Sequence, residues 1–125
     1  MKNIQTDKAP AAIGPYSQGN KVGDLIFFSG QIPLDPASGQ IVGQEIQAQT
    51  RQVMKNIIGL VESQGLTLGH IAKTTVFLKN MGDFTSFNEV YASYLKPPYP
   101  ARSTVEVAAL PKGALVEIEC VVYSK

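Results

Sequence analysis

A chain of 125 residues with 44% hydrophobic and 17% charged residues suits one domain, spanning 1–125, that can bury a core without staples. Its formal net charge of +1 gives no electrostatic pull toward nucleic acid or anionic lipid as a primary partner. One cysteine, Cys120, excludes an internal disulfide and fits a reducing compartment. No apolar run approaches the roughly 18 residues of a spanning helix, and Met1–Gln5 lacks an apolar signal core, so the expectation is a soluble cytoplasmic domain.

In chain order, residues 9–19 hold two prolines and two glycines and read as an ordered, turning loop. Strands are expected at Gly19–Val22 and Leu25–Gly30, joined by a tight turn at Gly23 and Asp24. Pro33, Asp35, Pro36, Ser38 and Gly39 mark a second turning region. Glu45–Gln64 is the strongest helix. Its stripe of Ile46, Thr50, Val53, Met54, Ile57, Ile58 and Val61 recurs every three or four residues, and Gly65 sits where a terminating glycine belongs. Gly59, inside that helix, costs about 1 kcal/mol relative to alanine, and nothing in the sequence accounts for it. Ile71–Leu78, rich in Thr, Val and Phe, reads as a strand. A second helix starts at Asp83, a suitable N-cap, and presents Phe84, Phe87, Tyr91, Tyr94 and Leu95 before Pro97 and Pro98 stop it.

The last quarter alternates. Ala101–Val107 places Ser103, Val105 and Val107 on one face and Arg102, Thr104 and Glu106 on the other. Leu115–Tyr123 places Val116, Ile118, Cys120 and Val122 opposite Leu115, Glu117, Glu119, Val121 and Tyr123. Joined through Leu110–Gly113, the two are expected to pair antiparallel, with Arg102 and Thr104 beside Glu117 and Glu119. The apolar faces then pack under both helices, giving an α+β layer. The other face is too apolar for a solvated surface and too charged for a core. A subunit interface enclosing a polar pocket accounts for both features; cross-strand ion pairs in solvent are the alternative.

Several chemistries are excluded. Gly14 to Gly19 has the glycine spacing of a phosphate loop, but Asn20 stands where that loop needs lysine. His70 is the only histidine, so a zinc site or Cys-His pair would need ligands from scattered places. His70 and Cys120 both read as structural, the latter as a core thiol. Ser29 lacks the glycines of a nucleophile elbow. Carboxylates, one arginine, hydroxyls and backbone amides remain.

The chain resembles the RidA (YjgF-like) reactive intermediate deaminase family. The likeness lies in Ala-Ala-Ile-Gly-Pro-Tyr-Ser-Gln-Gly ending at Gly19, Ser-Gly-Gln-Ile-Pro from Ser29, Lys-Thr-Thr-Val-Phe-Leu from Lys73 and Phe-Asn-Glu-Val-Tyr from Phe87. It continues through Pro-Ala-Arg-Ser-Thr-Val-Glu-Val from Pro100, Leu-Pro-Lys from Leu110 and Val-Glu-Ile-Glu from Val116. The resemblance implies a chorismate-mutase-like α+β fold, with a mixed sheet, two helices on one face and a homotrimer with sites between subunits. It implies hydrolysis of 2-imino and enamine acids such as 2-aminoacrylate and 2-aminocrotonate, released by pyridoxal-phosphate dehydratases, to 2-keto acids and ammonium. No cofactor or metal is expected.

A guanidinium can fix a planar carboxylate through two parallel charge-assisted hydrogen bonds, and Arg102 matches the family arginine assigned this task. One carboxylate can take a proton from water and return it to the leaving nitrogen. Glu117 matches the family residue there, although alternation alone does not separate it from Glu119. Tyr16, Ser29, Gly30 and Asn88 match other pocket residues. Thr104, also counted as substrate-binding, stands where many relatives carry cysteine, so thiol-dependent properties do not carry over. The competing readings are a regulatory small-carboxylate-binding trimer without turnover and, less favoured by charge and the single histidine, a ribonuclease or translation inhibitor.

Overall fold

The computed structural model describes residues 1–125. Six strands, β1 (Lys2–Ile4), β2 (Gly19–Val22), β3 (Leu25–Gln31), β4 (Ile71–Leu78), β5 (Ala101–Glu106) and β6 (Val116–Tyr123), form one mixed sheet in the order β1-β2-β3-β6-β4-β5. Helices α1 (Ile46–Glu62) and α2 (Phe84–Ser93) connect β3 to β4 and β4 to β5. β3 and β4 both run antiparallel to β6, while β5 runs parallel to β4. The three strands linked by helices therefore share one direction and advance the same way across the sheet. Crossovers of a common hand then put both helices on the same face. This is the expected α+β arrangement.

The strand positions agree with the sequence reading, but one pairing does not. Strands β5 and β6 are not a hairpin, because β4 lies between them. Arg102 pairs with Thr74 and Thr104 with Val76 on β4, whereas Glu119 pairs with Thr75 and Glu117 with Phe77. Thr74 and Val76 are buried under the helices along with Ile118 and Cys120. Arg102 and Thr104 thus share the helix face, and Ser103 and Val105 turn to the open one. Alternation specifies which residues share a face; it does not name the neighbouring strand. β1, at three residues too short for a periodic signal, pairs along the edge of β2.

The α1 stripe is buried as expected except for Ile58, which is partly exposed. Thr50 satisfies its hydroxyl on the Ile46 carbonyl at 2.7 Å. The helix starts from Glu45, whose carboxylate accepts from the backbone of Gln47 and Ala48. It stops in a Schellman turn, with Gly65 N–H on the Glu62 carbonyl and Leu66 N–H on that of Val61, both 3.0 Å. Gly65 has φ +72°, as that turn requires. Gly59 also has an explanation: the Lys8 carbonyl lies against its Cα, where a Cβ would collide with backbone. Gln49, Gln52 and Asn56 are buried on α1. The last two donate to the Leu34 carbonyl at 3.3 and 2.9 Å, and Gln49 accepts from Leu115 N–H at 2.8 Å. They tie the loops at one end of the sheet to the helix.

Asp83 occupies the N-cap position of α2, but its side chain makes no capping bond. A 3₁₀ turn precedes the helix instead, and Glu106 accepts from the Met81 N–H at 2.8 Å. The other sheet face has no layer over it, and Leu25, Phe27, Val105 and Tyr123 are each 40–48% exposed there. No helix is long and apolar enough to cross a membrane.

Candidate active site

Glu117 rises from β6 on the open face, half-buried in a cleft of about 420 Å³ that also takes in Tyr16, Ser29, Gly30 and Glu119. β3 forms the cleft's floor by breaking register: between Phe28, opposite Cys120, and Gln31, opposite Ile118, two residues face one. Such a bulge re-aims the chain, and here it falls at Ser29 and Gly30. The Glu117 carboxyl lies directly over Gly30. A Cβ there would overlap Oε2 and come within 2.8 Å of Cδ. Glycine at this position lets the Glu117 carboxyl lie over the backbone; any side chain here would displace that carboxyl. Desolvation pushes the Glu117 carboxyl above the usual carboxylate range, and the neighbouring Glu119 charge pushes it further the same way. That is the direction a group must move to both accept and return a proton near neutrality.

Ser29 donates its hydroxyl proton to the Ser17 carbonyl at 2.5 Å, so toward a ligand its oxygen can only accept. Tyr16 lies at the rim, 55% exposed, following Gly14 at φ +128°. Gln18, which sequence reasoning missed, is 3% exposed behind the cleft. It accepts from Thr6 N–H at 2.6 Å and donates to the carbonyls of Thr6, Ala9 and Pro10, fixing the wall formed by Pro10 and Ala11. Nothing in the Pro/Gly-rich loop's sequence marks Gln18 as buried; only its burial in the structure requires that both ends of its amide be satisfied.

Arg102 lies elsewhere. From β5 it reaches under α2, where Nη1 donates to Asn88 Oδ1 at 2.6 Å. Its guanidinium carbon sits 5.0 Å from the Tyr91 ring centre and 5.4 Å from that of Phe84. Tyr91 is 5% exposed and its hydroxyl shares a 2.8 Å hydrogen bond with Thr74. Burial pushes its phenol pKa upward. The guanidinium borders two hollows, one with Asn88, Tyr91, Tyr99 and Pro100, the other with Met81, Phe84, Thr85 and Thr104. Thr104 Oγ1 is buried there without a hydrogen-bond partner. Phe84 and Tyr91 were legible only as a helix stripe; their second role as walls for a cation was not.

The expected site residues therefore separate into two groups on opposite sheet faces: Glu117, Tyr16, Ser29 and Gly30 on one, Arg102, Asn88 and Thr104 on the other. The expected adjacency of Arg102 and Glu117 along neighbouring strands fails within one chain because β4 intervenes. Both Arg102 and Glu117 are free of ion pairs; the chain's salt bridge joins Lys125 to Asp24 at 3.9 Å. His70 accepts from Thr67 N–H at 3.1 Å and closes the cap of a 3₁₀ turn. Cys120 is buried, its thiol pushed up to about 12 by burial and then by Glu119. No three His, Cys, Asp or Glu side chains gather to hold a metal.

The chain is thus an α+β protein in which a mixed sheet carries a half-buried glutamate in a cleft on one face and an arginine without an ion pair on its helix side. The family model described as Endoribonuclease L-PSP matches residues 6–124, and the chain belongs to that family, also known as YjgF/RidA. A RutC family protein of Pyrococcus horikoshii is 50% identical over 122 residues, covering 98% of this chain and 97% of that one. Reactive Intermediate Deaminase A, chloroplastic, of Arabidopsis thaliana is 46% identical over 118 residues, 94% of this chain and 63% of that protein. The crystal structure of RidA from an Antarctic Psychrobacter superposes with a TM-score of 0.94 at 46% identity, covering 98% and 99% of the two chains.

Proposed function

We propose that this protein hydrolyses reactive 2-imino and enamine acids, such as 2-aminoacrylate and 2-aminocrotonate, to 2-keto acids and ammonium in the cytoplasm. The observation that carries the reading is that both groups the reaction needs are present and uncommitted. No acidic side chain pairs with Arg102, which leaves it to a substrate carboxylate, and burial in an open cleft pushes the Glu117 pKa upward. Glu117 takes a proton from water as the water oxygen bonds to the C=N carbon and returns it to nitrogen, giving the carbinolamine. It then relays the carbinolamine's hydroxyl proton to the amino nitrogen, so that C=O forms as the C–N bond breaks and ammonia leaves. Ser29, able only to accept, suits the N–H of an imine or the departing ammonia. Tyr16 covers the planar substrate, and Thr104 offers an unused hydroxyl beside the carboxylate. The reaction calls on no metal or cofactor.

The two halves lie on opposite faces, so one substrate meets both only if a second chain brings its Arg102 over the first chain's Glu117. The exposed Leu25, Phe27, Val105 and Tyr123 supply apolar area for that contact. A homotrimer with three shared sites closes this head-to-tail arrangement. The lone histidine lines neither half, which supports the deaminase over a ribonuclease.

A coupled assay tests the reading. A serine/threonine dehydratase generates the imino acid, semicarbazide competes for it, and keto-acid release is followed with this protein added. Wild type speeds release, and Arg102→Ala loses about 10²–10⁴-fold in kcat/KM, the worth of two charge-assisted hydrogen bonds. Glu117→Ala abolishes the effect while remaining folded. No acceleration by wild type on either imine would overturn the assignment and leave a carboxylate-binding regulator.

A further inference from the structure

Arg102 is held by neutral groups alone. Its neighbours are an amide oxygen at 2.6 Å and two aromatic ring faces at 5.0 and 5.4 Å. The nearest acid along its own strand face, Glu106, is turned onto the Met81 backbone. A guanidinium has five N–H donors in a rigid fork. Asn88 occupies one hydrogen of Nη1, and no protein acceptor takes the Nε–Nη2 edge, which leaves it for a bidentate carboxylate. A carboxylate in the place of Asn88 would hold the arginine equally well but would cancel the charge that a substrate must find. Asn88 itself rides on α2 one turn from Tyr91, whose ring is locked by Thr74.

We propose that Asn88 is a positioning residue for carboxylate recognition, orienting Arg102 through a neutral acceptor so that the guanidinium is fixed yet unneutralised. This rests on Arg102 as the carboxylate site of the proposed function, but not on turnover. It also changes the role expected for Asn88: although it lines the hollow beside the guanidinium, it acts through the arginine and not by binding the substrate.

The test is the affinity of the folded assembly for 2-oxobutanoate, a stable keto acid, measured by calorimetry for wild type, Asn88→Ala and Asn88→Asp. The order of the variants decides. Asn88→Ala frees the fork and weakens binding about 3- to 10-fold, while Asn88→Asp keeps the hydrogen bond and weakens it further, beyond about 10-fold. A merely structural Asn88 would give the reverse order, since aspartate is the better acceptor, and would overturn the proposal. The neutral change Asn88→Ala in an Arg102→Ala background costs nothing more if Asn88 acts through the arginine. An undiminished cost there shows direct ligand contact and also overturns it. Wild type that binds 2-oxobutanoate but fails the imine assay would sink the deaminase reading and leave this one standing. Wild type that binds no keto acid would sink this one.

Discussion

At the scale of single residues, the candidate site depends on what each side chain is prevented from doing. Glu117 is kept from full hydration by the cleft and from easy ionisation by Glu119. Its protonated form cannot accept a proton from water, so kcat/KM falls as pH drops through its pKa. Replacing Glu119 by Gln removes the like charge that raises that pKa. The acid limb of the pH profile should therefore move to lower pH in Glu119→Gln; an unmoved limb, or one shifted upward, would contradict the coupling. Gly30 is a second case. Gly30→Ala sets a Cβ against the Glu117 carboxyl, which must swing away. The expected result is at least about a 10-fold loss of kcat/KM with the far-ultraviolet circular dichroism spectrum retained. The Val-Glu-Ile-Glu motif made both glutamates visible in the sequence, whereas the contact of Gly30 with Glu117 depends on a bulge that no local pattern announces.

At the scale of elements, periodicity served where an element's environment is set by its own stripe. Both helices and the strands β5 and β6 are legible for that reason, while β2 and β3 are legible from the turn between them and β4 from its Thr, Val and Phe content. It failed where the environment is set by a distant segment. The strand β5 alternates convincingly, yet its partner is parallel β4, reached through α2, and no turn residue encodes such a pairing. The face holding Arg102 consequently lies under α2. Gly59 makes the same point within a helix, because its reason lies in the Lys8 carbonyl of a loop some fifty positions earlier. Helix propensity says that Gly59→Ala gains about 1 kcal/mol. The packing says that it loses about 1–3 kcal/mol, because a buried collision with backbone cannot be relieved by a rotamer change. Chemical denaturation decides: a higher midpoint for the alanine variant would mean that the loop yields easily.

At the scale of the whole molecule, the proposed sharing of a site between chains draws on two observations: the separation of Arg102 from Glu117 across the sheet and the uncovered apolar sheet face. In the proposed assembly another chain covers Phe27, Val105 and Tyr123 on that face and leaves Glu117 and Glu119 in a shared pocket. The mixed character was legible in the sequence; the division of the site between faces was not, because it follows from strand order.

The central claim is that Arg102 and Glu117 act together across chains. Mixing folded Arg102→Ala and Glu117→Ala proteins, with subunit exchange verified by native mass spectrometry, tests it most directly. Each variant alone is inactive, but random 1:1 assembly pairs an intact arginine with an intact glutamate at about one site in four. The exchanged mixture should therefore recover about a quarter of wild-type activity. Fully exchanged assemblies that stay as inactive as their parents would show that no site is shared between chains.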